Sequence, residues 1–284
     1  MKQRILFVGA WCAMVCGLGV TASSQKAGIQ VGYCAPLAEI DASKAAGFDY
    51  VELRVTEIAA LTDADYDTLA AHLKQIGLAV PVANYFLPGS LKVTGPAIDK
   101  ARQIEYVRKG LDRVARLGAG IVVFGSGGAR SVPPGFSKEE AFDQLVDFLR
   151  RVGPEARAAK ITIAIEPLRR QESNIINSAA EGLQLVKAVN DPNIQLMVDF
   201  YHLAMEKEDP EILVTARDQI RHLHMANPQG RVFPLKWDEY DYAPFFAKLR
   251  QTGYAQRISI EAASKNFAVE APQSIALLRH AFEP

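Results

Sequence analysis

Short apolar runs, mostly β-branched, alternate with longer amphipathic segments from residue 29 to the end of the chain. The first two units read IQVGYC then PLAEIDASKAAG, and DYVELRV then TDADYDTLAAHLKQIG. The same order recurs through eight units. Short runs that are apolar at nearly every position are typical of parallel strands covered on both faces, and longer periodic segments are typical of helices. The pattern therefore predicts eight strand and helix pairs.

The helical segments are bounded by the residues that commonly start and stop helices. Glycine follows LKQI, VARL and LRQT, where a left-handed residue would end each helix. Eight right-handed parallel units in about 260 residues predict a single closed (β/α)8 TIM barrel. An open, doubly wound sheet is the alternative. It would usually carry a glycine-rich nucleotide fingerprint after the first strand, and GYCAPLAE is not one.

The first 22 residues follow a different pattern. A basic MKQR precedes the sixteen-residue apolar run ILFVGAWCAMVCGLGV, and the small residues of VTASS offer a cleavage point after Ala22. This order predicts a secretory signal at residues 1–22, a barrel domain at residues 23–284, and a secreted or periplasmic location. An uncleaved anchor is the alternative, although sixteen apolar residues are short for a membrane span.

Charge and cysteine content exclude several kinds of partner. Without Lys2 and Arg4, the 32 basic residues become 30 against 32 acidic ones, and Cys34 is the one cysteine left after residue 22. A net charge of −2 gives no basic footprint for nucleic acid, and one cysteine allows no intrachain disulfide. We therefore expect no nucleic-acid partner and no membrane contact after signal cleavage, while a homo-oligomer stays open.

Four predicted strands in the second half of the chain end in a side chain that can bind a metal. Strands five to eight deliver Glu166, Asp199, His224 and Glu261 in that order. The C-terminal ends of barrel strands meet at one rim, so these side chains should converge. Three carboxylates and one imidazole match the ligand preferences of a divalent cation. The sequence therefore predicts one metal site at this rim.

The segment IEPLRRQESNIINSAAEGLQLVKAVNDPNIQLMVDFYH, with the later HLHMAN and SIEA, resembles the xylose-isomerase-like TIM barrel superfamily of sugar isomerases and epimerases. The closest branch is that of the ketose 3-epimerases. This resemblance implies that Glu166 and Glu261 act as the acid and base pair as well as metal ligands. It also implies substrate contacts from Glu172, His202 and Arg231, a sugar or keto-sugar substrate, and one divalent ion, with manganese expected ahead of magnesium, cobalt and zinc.

The chemistry of this residue set favours proton abstraction next to a carbonyl. A divalent ion stabilises the enediolate that forms, and two bases allow the proton to return on the opposite face. We therefore predict a metal-dependent sugar isomerase or epimerase. A 3-keto-glycoside lyase or a dehydratase could use the same metal and glutamate pair. More remote alternatives are an endonuclease of the apurinic type, whose extra histidines are missing here, and a non-catalytic sugar-binding barrel.

Other positions carry two interpretations each. Glu52 either forms an ion pair, with Arg54 or with a neighbouring strand, or contacts substrate. His222 is either a core histidine or a support for His224, two residues further on. Residues 84–86 form either a sugar-stacking wall or ordinary loop packing. The segment FGSGGAR either holds an anion with the help of Arg130 or makes a tight turn without a ligand.

Overall fold

The computed structural model describes residues 28–283. The secretory signal predicted at residues 1–22 lies outside this range and stays a prediction. Among the described residues, no helix combines the length and the apolar character needed to cross a membrane.

The strands form one closed barrel in which each strand pairs in parallel with the next, and the last pairs with the first. The single (β/α)8 barrel predicted from the sequence is confirmed, and the open-sheet alternative is wrong. In chain order the strands are β1 Gln30–Cys34, β2 Tyr50–Arg54, β3 Ala79–Asn84, β4 Ile121–Phe124, β5 Thr162–Ile165, β6 Ile194–Asp199, β7 Ile220–Met225 and β8 Arg257–Ile260.

Eleven α-helices lie within residues 28–283, and the longer ones surround the barrel. They are α1 Ile40–Ala46, α2 Val55–Ala60, α3 Asp63–Ile76, α4 Lys100–Arg116, α5 Gly127–Arg130, α6 Lys138–Ala158, α7 Ala179–Val189, α8 Phe200–Met205, α9 Glu211–Thr215, α10 Ala243–Thr252 and α11 Phe267–Ala281. The short helices α2, α5 and α8 begin at the C-terminal ends of strands and so help to build the rim. Gly77 and Gly253 end α3 and α10 with φ of 63° and 70°, the left-handed caps that the sequence predicts.

Strands β2 to β6 separate two apolar layers. On β4, Val122 and Phe124 belong to the large core shared with the helices, whereas Ile121 and Val123 belong to a smaller buried cluster. Successive strand side chains point to opposite faces, so the smaller cluster fills the barrel interior. Its other members are Tyr50, Val82, Ala164 and Met197.

The interior changes from apolar to polar towards the C-terminal ends of the strands. Two residues after Ala164 comes Glu166, and two residues after Met197 comes Asp199, so both carboxylates continue the inward-facing side. The same alternation places six further residues at the inner face near the rim: Cys34, Glu52, Asn84, Gly125, His224 and Glu261. The polar end of the barrel interior is therefore where a site forms.

Candidate metal centre and substrate pocket

Backbone hydrogen bonds between strands hold the predicted metal ligands in place. The amide of Glu166 donates to the Phe124 carbonyl over 3.1 Å, and the amide of Glu261 donates to the Met225 carbonyl over 3.1 Å. Asp199 ends β6 and caps α8, where its Oδ1 accepts from the amide of Tyr201 over 2.8 Å. These bonds fix the backbone at the three positions, so only the side chains can adjust to a ligand.

The four predicted ligands converge. One ligand atom from each of Glu166, Asp199, His224 and Glu261 lies within 4.8 Å of the others. His224 Nδ1 is 3.2 Å from Glu166 Oε1 and 3.1 Å from Glu261 Oε2. Asp199 is only 2% exposed, yet its Oδ2 has no hydrogen-bond partner. Because a buried carboxylate oxygen needs a partner, and hard divalent ions prefer oxygen ligands, this donor set fits such an ion.

The electrostatics of this cluster reflect three carboxylates buried together. Burial, reinforced by the charge of Glu261, raises the pKa of Glu166. Burial also raises the pKa of Asp199 to about 7, despite the opposing charge of Arg231. Burial disfavours a charge on Glu261 as well, but His224 and Arg231 outweigh it and lower the pKa to about 2. The cluster thus concentrates negative charge where a cation would relieve it.

Arg231 lies beside the cluster and joins it to Glu172. Its Nη2 donates to Glu261 Oε2 over 2.8 Å and lies 3.5 Å from Asp199 Oδ2. Its Nη1 donates to Glu172 Oε1 over 3.2 Å, and its guanidinium carbon sits 4.6 Å from the centre of the Tyr201 ring. The backbone of Arg231 has φ of 50°, a left-handed conformation that is uncommon for this residue type. Such strained residues are frequent at functional sites.

His202 reaches the same place from the first turn of α8. Its Nδ1 accepts from the amide of Arg169 over 3.2 Å, while its Nε2 lies 3.6 Å from Asp199 Oδ2 and 3.9 Å from Glu172 Oε2. Burial, followed by the charge of Arg231, lowers the pKa of His202 to about 3. The ring is therefore neutral at physiological pH, and its Nε2–H is a buried donor without a hydrogen-bond partner.

A cavity of about 270 Å³ opens onto the cluster. It is lined by Glu166, Glu261, Glu172, Arg231, Asn84 and Tyr85, together with the glycine-rich residues 125–128. The side chain of Asn84 is 2% exposed, and neither its amide nitrogen nor its carbonyl oxygen has a hydrogen-bond partner. An amide in this state is suited to bind a polar ligand.

Residues 84–86 divide between the cavity and the core. Tyr85 is 49% exposed at the cavity, with Arg54 4.7 Å from its ring centre and a backbone φ of 47°. Phe86 is fully buried and packs edge-on against Phe124 at 5.9 Å. Asn84 and Tyr85 therefore belong to the pocket, whereas Phe86 belongs to the core.

The glycine-rich segment after β4 is a tight turn that makes room for Glu166. Arg130 is buried and donates to the carbonyls of Phe124 and Ile176 over 3.0 and 3.3 Å. Burial lowers the pKa of Arg130 to about 10, which leaves it cationic at neutral pH. A Cβ on Gly125 would overlap the carboxylate of Glu166. The contacts of this segment support the turn interpretation, since Arg130 binds backbone carbonyls.

Glu52 does not pair with Arg54 and does not line the cavity; its ion-pair partners are histidines of another strand, β7. Arg54 pairs with Glu57 over 3.0 Å, and Glu52 is fully buried beneath the cavity instead of lining it. Its carboxylate lies between two histidine rings, 2.9 Å from His222 Nε2 and 3.0 Å from His224 Nε2. The only sequence signal for this arrangement is that all three residues fall on inward-facing strand positions.

A closed (β/α)8 barrel with three carboxylates and a histidine gathered at its C-terminal rim defines a class of barrel whose ligand set is suited to a divalent cation. The family of xylose isomerase-like TIM barrels matches residues 40–281. The chain belongs to this family, as predicted from the sequence.

Several of the similar proteins are sugar epimerases. The chain is 29% identical over 236 residues to an L-ribulose 3-epimerase of Mesorhizobium japonicum, covering 80% of this chain and 75% of that protein. It is 27% identical over 200 residues to a 3-dehydro-D-guloside 4-epimerase of Escherichia coli, covering 66% and 73%. The crystal structure of D-allulose 3-epimerase from Methylomonas sp. in complex with D-allulose shares the fold, with a TM-score of 0.79, 23% identity and coverage of 90% and 98%. The predicted ketose 3-epimerase branch and the predicted class, a sugar isomerase or epimerase, are confirmed.

Proposed function

We propose that this protein is an epimerase of keto sugars that depends on one divalent metal ion. Glu166, Asp199, His224 and Glu261 would hold the ion, and the observation that carries the proposal is their convergence within 4.8 Å, with Glu166 and Glu261 lining a cavity. When bound, the ion would polarise the ketone and the neighbouring hydroxyl of the substrate and so acidify the C–H bond between them. Three carboxylates with a single imidazole favour manganese over zinc as this ion.

The two glutamates of the cluster supply the acid and the base. Glu166 follows β5 and Glu261 follows β8, three strands further round the barrel, so their carboxylates enter the cavity from different sides. One carboxylate accepts the proton of the C–H bond, and the other, as a carboxylic acid, delivers a proton to the opposite face of the same carbon. The configuration inverts with no change in oxidation state, and two such groups typically contribute about 10²–10⁴-fold each.

Polar groups around the cavity can orient the sugar hydroxyls. The carboxylate of Glu172 accepts, and the free amide of Asn84 can do both. His202 does not line the cavity, but its buried Nε2–H, beside Asp199 and Glu172, is a further donor directly behind the lining. Arg231 keeps Glu261 charged and directed into the cavity through its 2.8 Å hydrogen bond. A substrate rich in hydroxyl groups therefore fits this pocket better than an apolar one.

A glycoside of a keto sugar is the second candidate substrate. Tyr85 presents a half-exposed ring at the cavity, and an aromatic face in this position can stack on a second sugar ring. The Escherichia coli relative is a 3-dehydro-D-guloside 4-epimerase. With such a substrate, the same proton abstraction could also end in loss of the glycosidic substituent, as in a lyase.

Solvent isotope exchange tests the reaction. Manganese-loaded protein is incubated in D₂O with L-ribulose, with D-allulose and with a 3-keto-glucoside, and products are followed by NMR. We expect an epimer with deuterium at the inverted carbon, and we expect Glu166→Gln and Glu261→Gln to remain folded but to lose exchange, because an amide cannot accept the proton. Product without solvent deuterium would indicate a hydride shift instead, and an unsaturated keto sugar would indicate a lyase.

Metal analysis tests the site independently of the substrate. We expect about one divalent ion per chain after reconstitution, and we expect Asp199→Ala and His224→Ala to abolish binding. Glu57→Gln, at a partly buried ion pair that does not belong to the cluster, should leave binding unchanged. No bound metal, or three zinc ions per chain, would contradict the mononuclear site.

A further inference from the structure

We propose that Glu52 is the positioning residue of the metal site: it holds the ring of His224 in the tautomer and orientation that turn Nδ1 towards the metal. This inference rests on the proposed role of His224 as a ligand. Glu52 lies in β2, 172 residues before His224, and is fully buried inside the barrel. A buried carboxylate requires compensation, and the groups that surround Glu52 show what it does.

The two nitrogens of His224 face different partners. Nε2 points into the barrel interior, 3.0 Å from Glu52 Oε1. Nδ1 points towards the rim, where oxygens of Glu166 and Glu261 lie 3.2 and 3.1 Å away. The ring therefore bridges the buried carboxylate below and the carboxylate cluster above.

This arrangement determines the tautomer. A carboxylate only accepts hydrogen bonds, so the nitrogen that faces Glu52 must carry the proton. In a neutral imidazole the other nitrogen, Nδ1, then holds the lone pair that a metal binds. The opposite tautomer would direct the Nε2 lone pair of His224 at a carboxylate oxygen in a dry interior, where repulsion is strong. Glu52 therefore selects the metal-binding form before the metal arrives.

Further donors fix the carboxylate of Glu52 itself. Its Oε2 accepts from Ser259 Oγ over 2.7 Å and lies 2.9 Å from His222 Nε2. Ser259 Oγ is 2.9 Å from the hydroxyl of Tyr50, whose ring occupies the space beside Gly32 that a Cβ would fill. Both oxygens of Glu52 are thus engaged, and the carboxylate cannot rotate away from His224 without breaking a buried hydrogen bond.

A second cation is the competing use of the same residues. Cys34, Glu52 and His224 also offer ligand atoms within 4.8 Å of one another, with Cys34 Sγ 3.7 Å from His224 Nε2. An ion there would have to bind Nε2, the nitrogen that the 3.0 Å contact to Glu52 assigns as a donor. The number of metal ions per chain therefore distinguishes the positioning role, which requires one ion, from a second cation site, which requires two.

The test is Glu52→Gln, which keeps the shape but replaces one acceptor oxygen by an NH₂ donor. We expect the affinity for Mn²⁺, measured by chelator competition, to fall about 10–100-fold. In ¹⁵N-histidine-labelled protein loaded with diamagnetic Zn²⁺, we expect a protonated Nε2 on His224 of the wild type and loss of that single tautomer in the variant. The control Glu57→Gln makes the same change at a partly buried ion pair away from His224 and should alter neither measurement.

The outcomes separate this proposal from the proposed function. Wild-type metal affinity and an unchanged His224 signal in Glu52→Gln would overturn the positioning role while leaving the metal site intact. A second ion per chain that disappears in Cys34→Ala would also overturn it. If the wild type bound no metal, both the proposed metal site and the positioning role of Glu52 would be refuted. Should Glu52→Gln fail to fold, Ser259→Ala, which removes one donor and keeps the carboxylate, must show a smaller loss of metal affinity.

Discussion

Replacement of Gly125 by alanine tests how closely the turn after β4 is matched to Glu166. A Cβ at Gly125 would overlap Glu166 Oε2 and would lie 3.3 Å from the Glu166 carboxyl carbon and 3.4 Å from Leu168 Cδ2. The backbone of Gly125 is not among those with positive φ, so alanine meets a steric obstacle and no conformational one. The carboxylate of Glu166 must therefore move.

The size of the effect follows from that displacement. A shift of about 1 Å in a catalytic group costs on the order of 100-fold in rate, which corresponds to about 2.7 kcal/mol of transition-state stabilisation. Overpacking typically destabilises by about 1–3 kcal/mol, or roughly 2–4 °C in melting temperature for each kcal/mol at this chain length. We expect Gly125→Ala to lose about 100-fold in kcat/KM and at least several-fold in metal affinity, with a modest loss of stability.

Gly120→Ala is the matched control at the other end of β4. A Cβ there meets nothing within 4 Å, and its φ is not positive, so alanine should stabilise by about 0.4–1 kcal/mol through the unfolded state. The assays are epimerisation kinetics, chelator competition for Mn²⁺ and calorimetric melting. Wild-type kcat/KM and metal affinity in Gly125→Ala would refute the inference that a Cβ at this position displaces the carboxylate of Glu166 from its functional position.

Two of three further predictions concern the pocket, and the third concerns helix α4 outside the barrel. Glu172→Ala and His202→Ala should raise KM or lower kcat while keeping about one metal per chain, and metal loss in either would show that they are ligands. Asn84→Ala should raise KM at unchanged metal affinity, because its free amide faces the cavity, and an unchanged KM would exclude substrate contact. Arg113→Met should destabilise by about 3 kcal/mol in urea unfolding, because its buried guanidinium bonds two backbone carbonyls and a carboxylate, whereas the exposed Arg116→Met should change little.

The barrel and the cluster of candidate metal ligands could be predicted because both depend on local patterns. Apolar strand runs and glycine stops such as Gly77 and Gly253 are set by neighbouring residues. Barrel closure then brings the C-terminal end of every strand to one rim. Asp199 on β6 and His224 on β7 are therefore neighbours, regardless of the sequence of the segment that connects the two strands.

The short rim helices could not be found in this way. Helices α2, α5 and α8 contain only four to six residues, fewer than two turns, so no hydrophobic period can be recognised in them. Their existence depends on contacts made after the barrel closes. Asp199, for example, caps α8 through Tyr201 only because β6 ends at that residue.

The role of Glu52 depends on depth within the barrel, and depth is a property of strand register. Alternation along β2 and β3 places both Glu52 and Asn84 on the inner face. In the pairing of these strands, Glu52 lies beside Val82 and Asn84 lies beside Arg54, two residues nearer the rim. Asn84 therefore faces the cavity, while Glu52 remains below it, at the level of the inner nitrogen of His224. An irregularity between residues 50 and 52 sets this offset, and a shift of one residue in register would exchange inward-facing and outward-facing side chains.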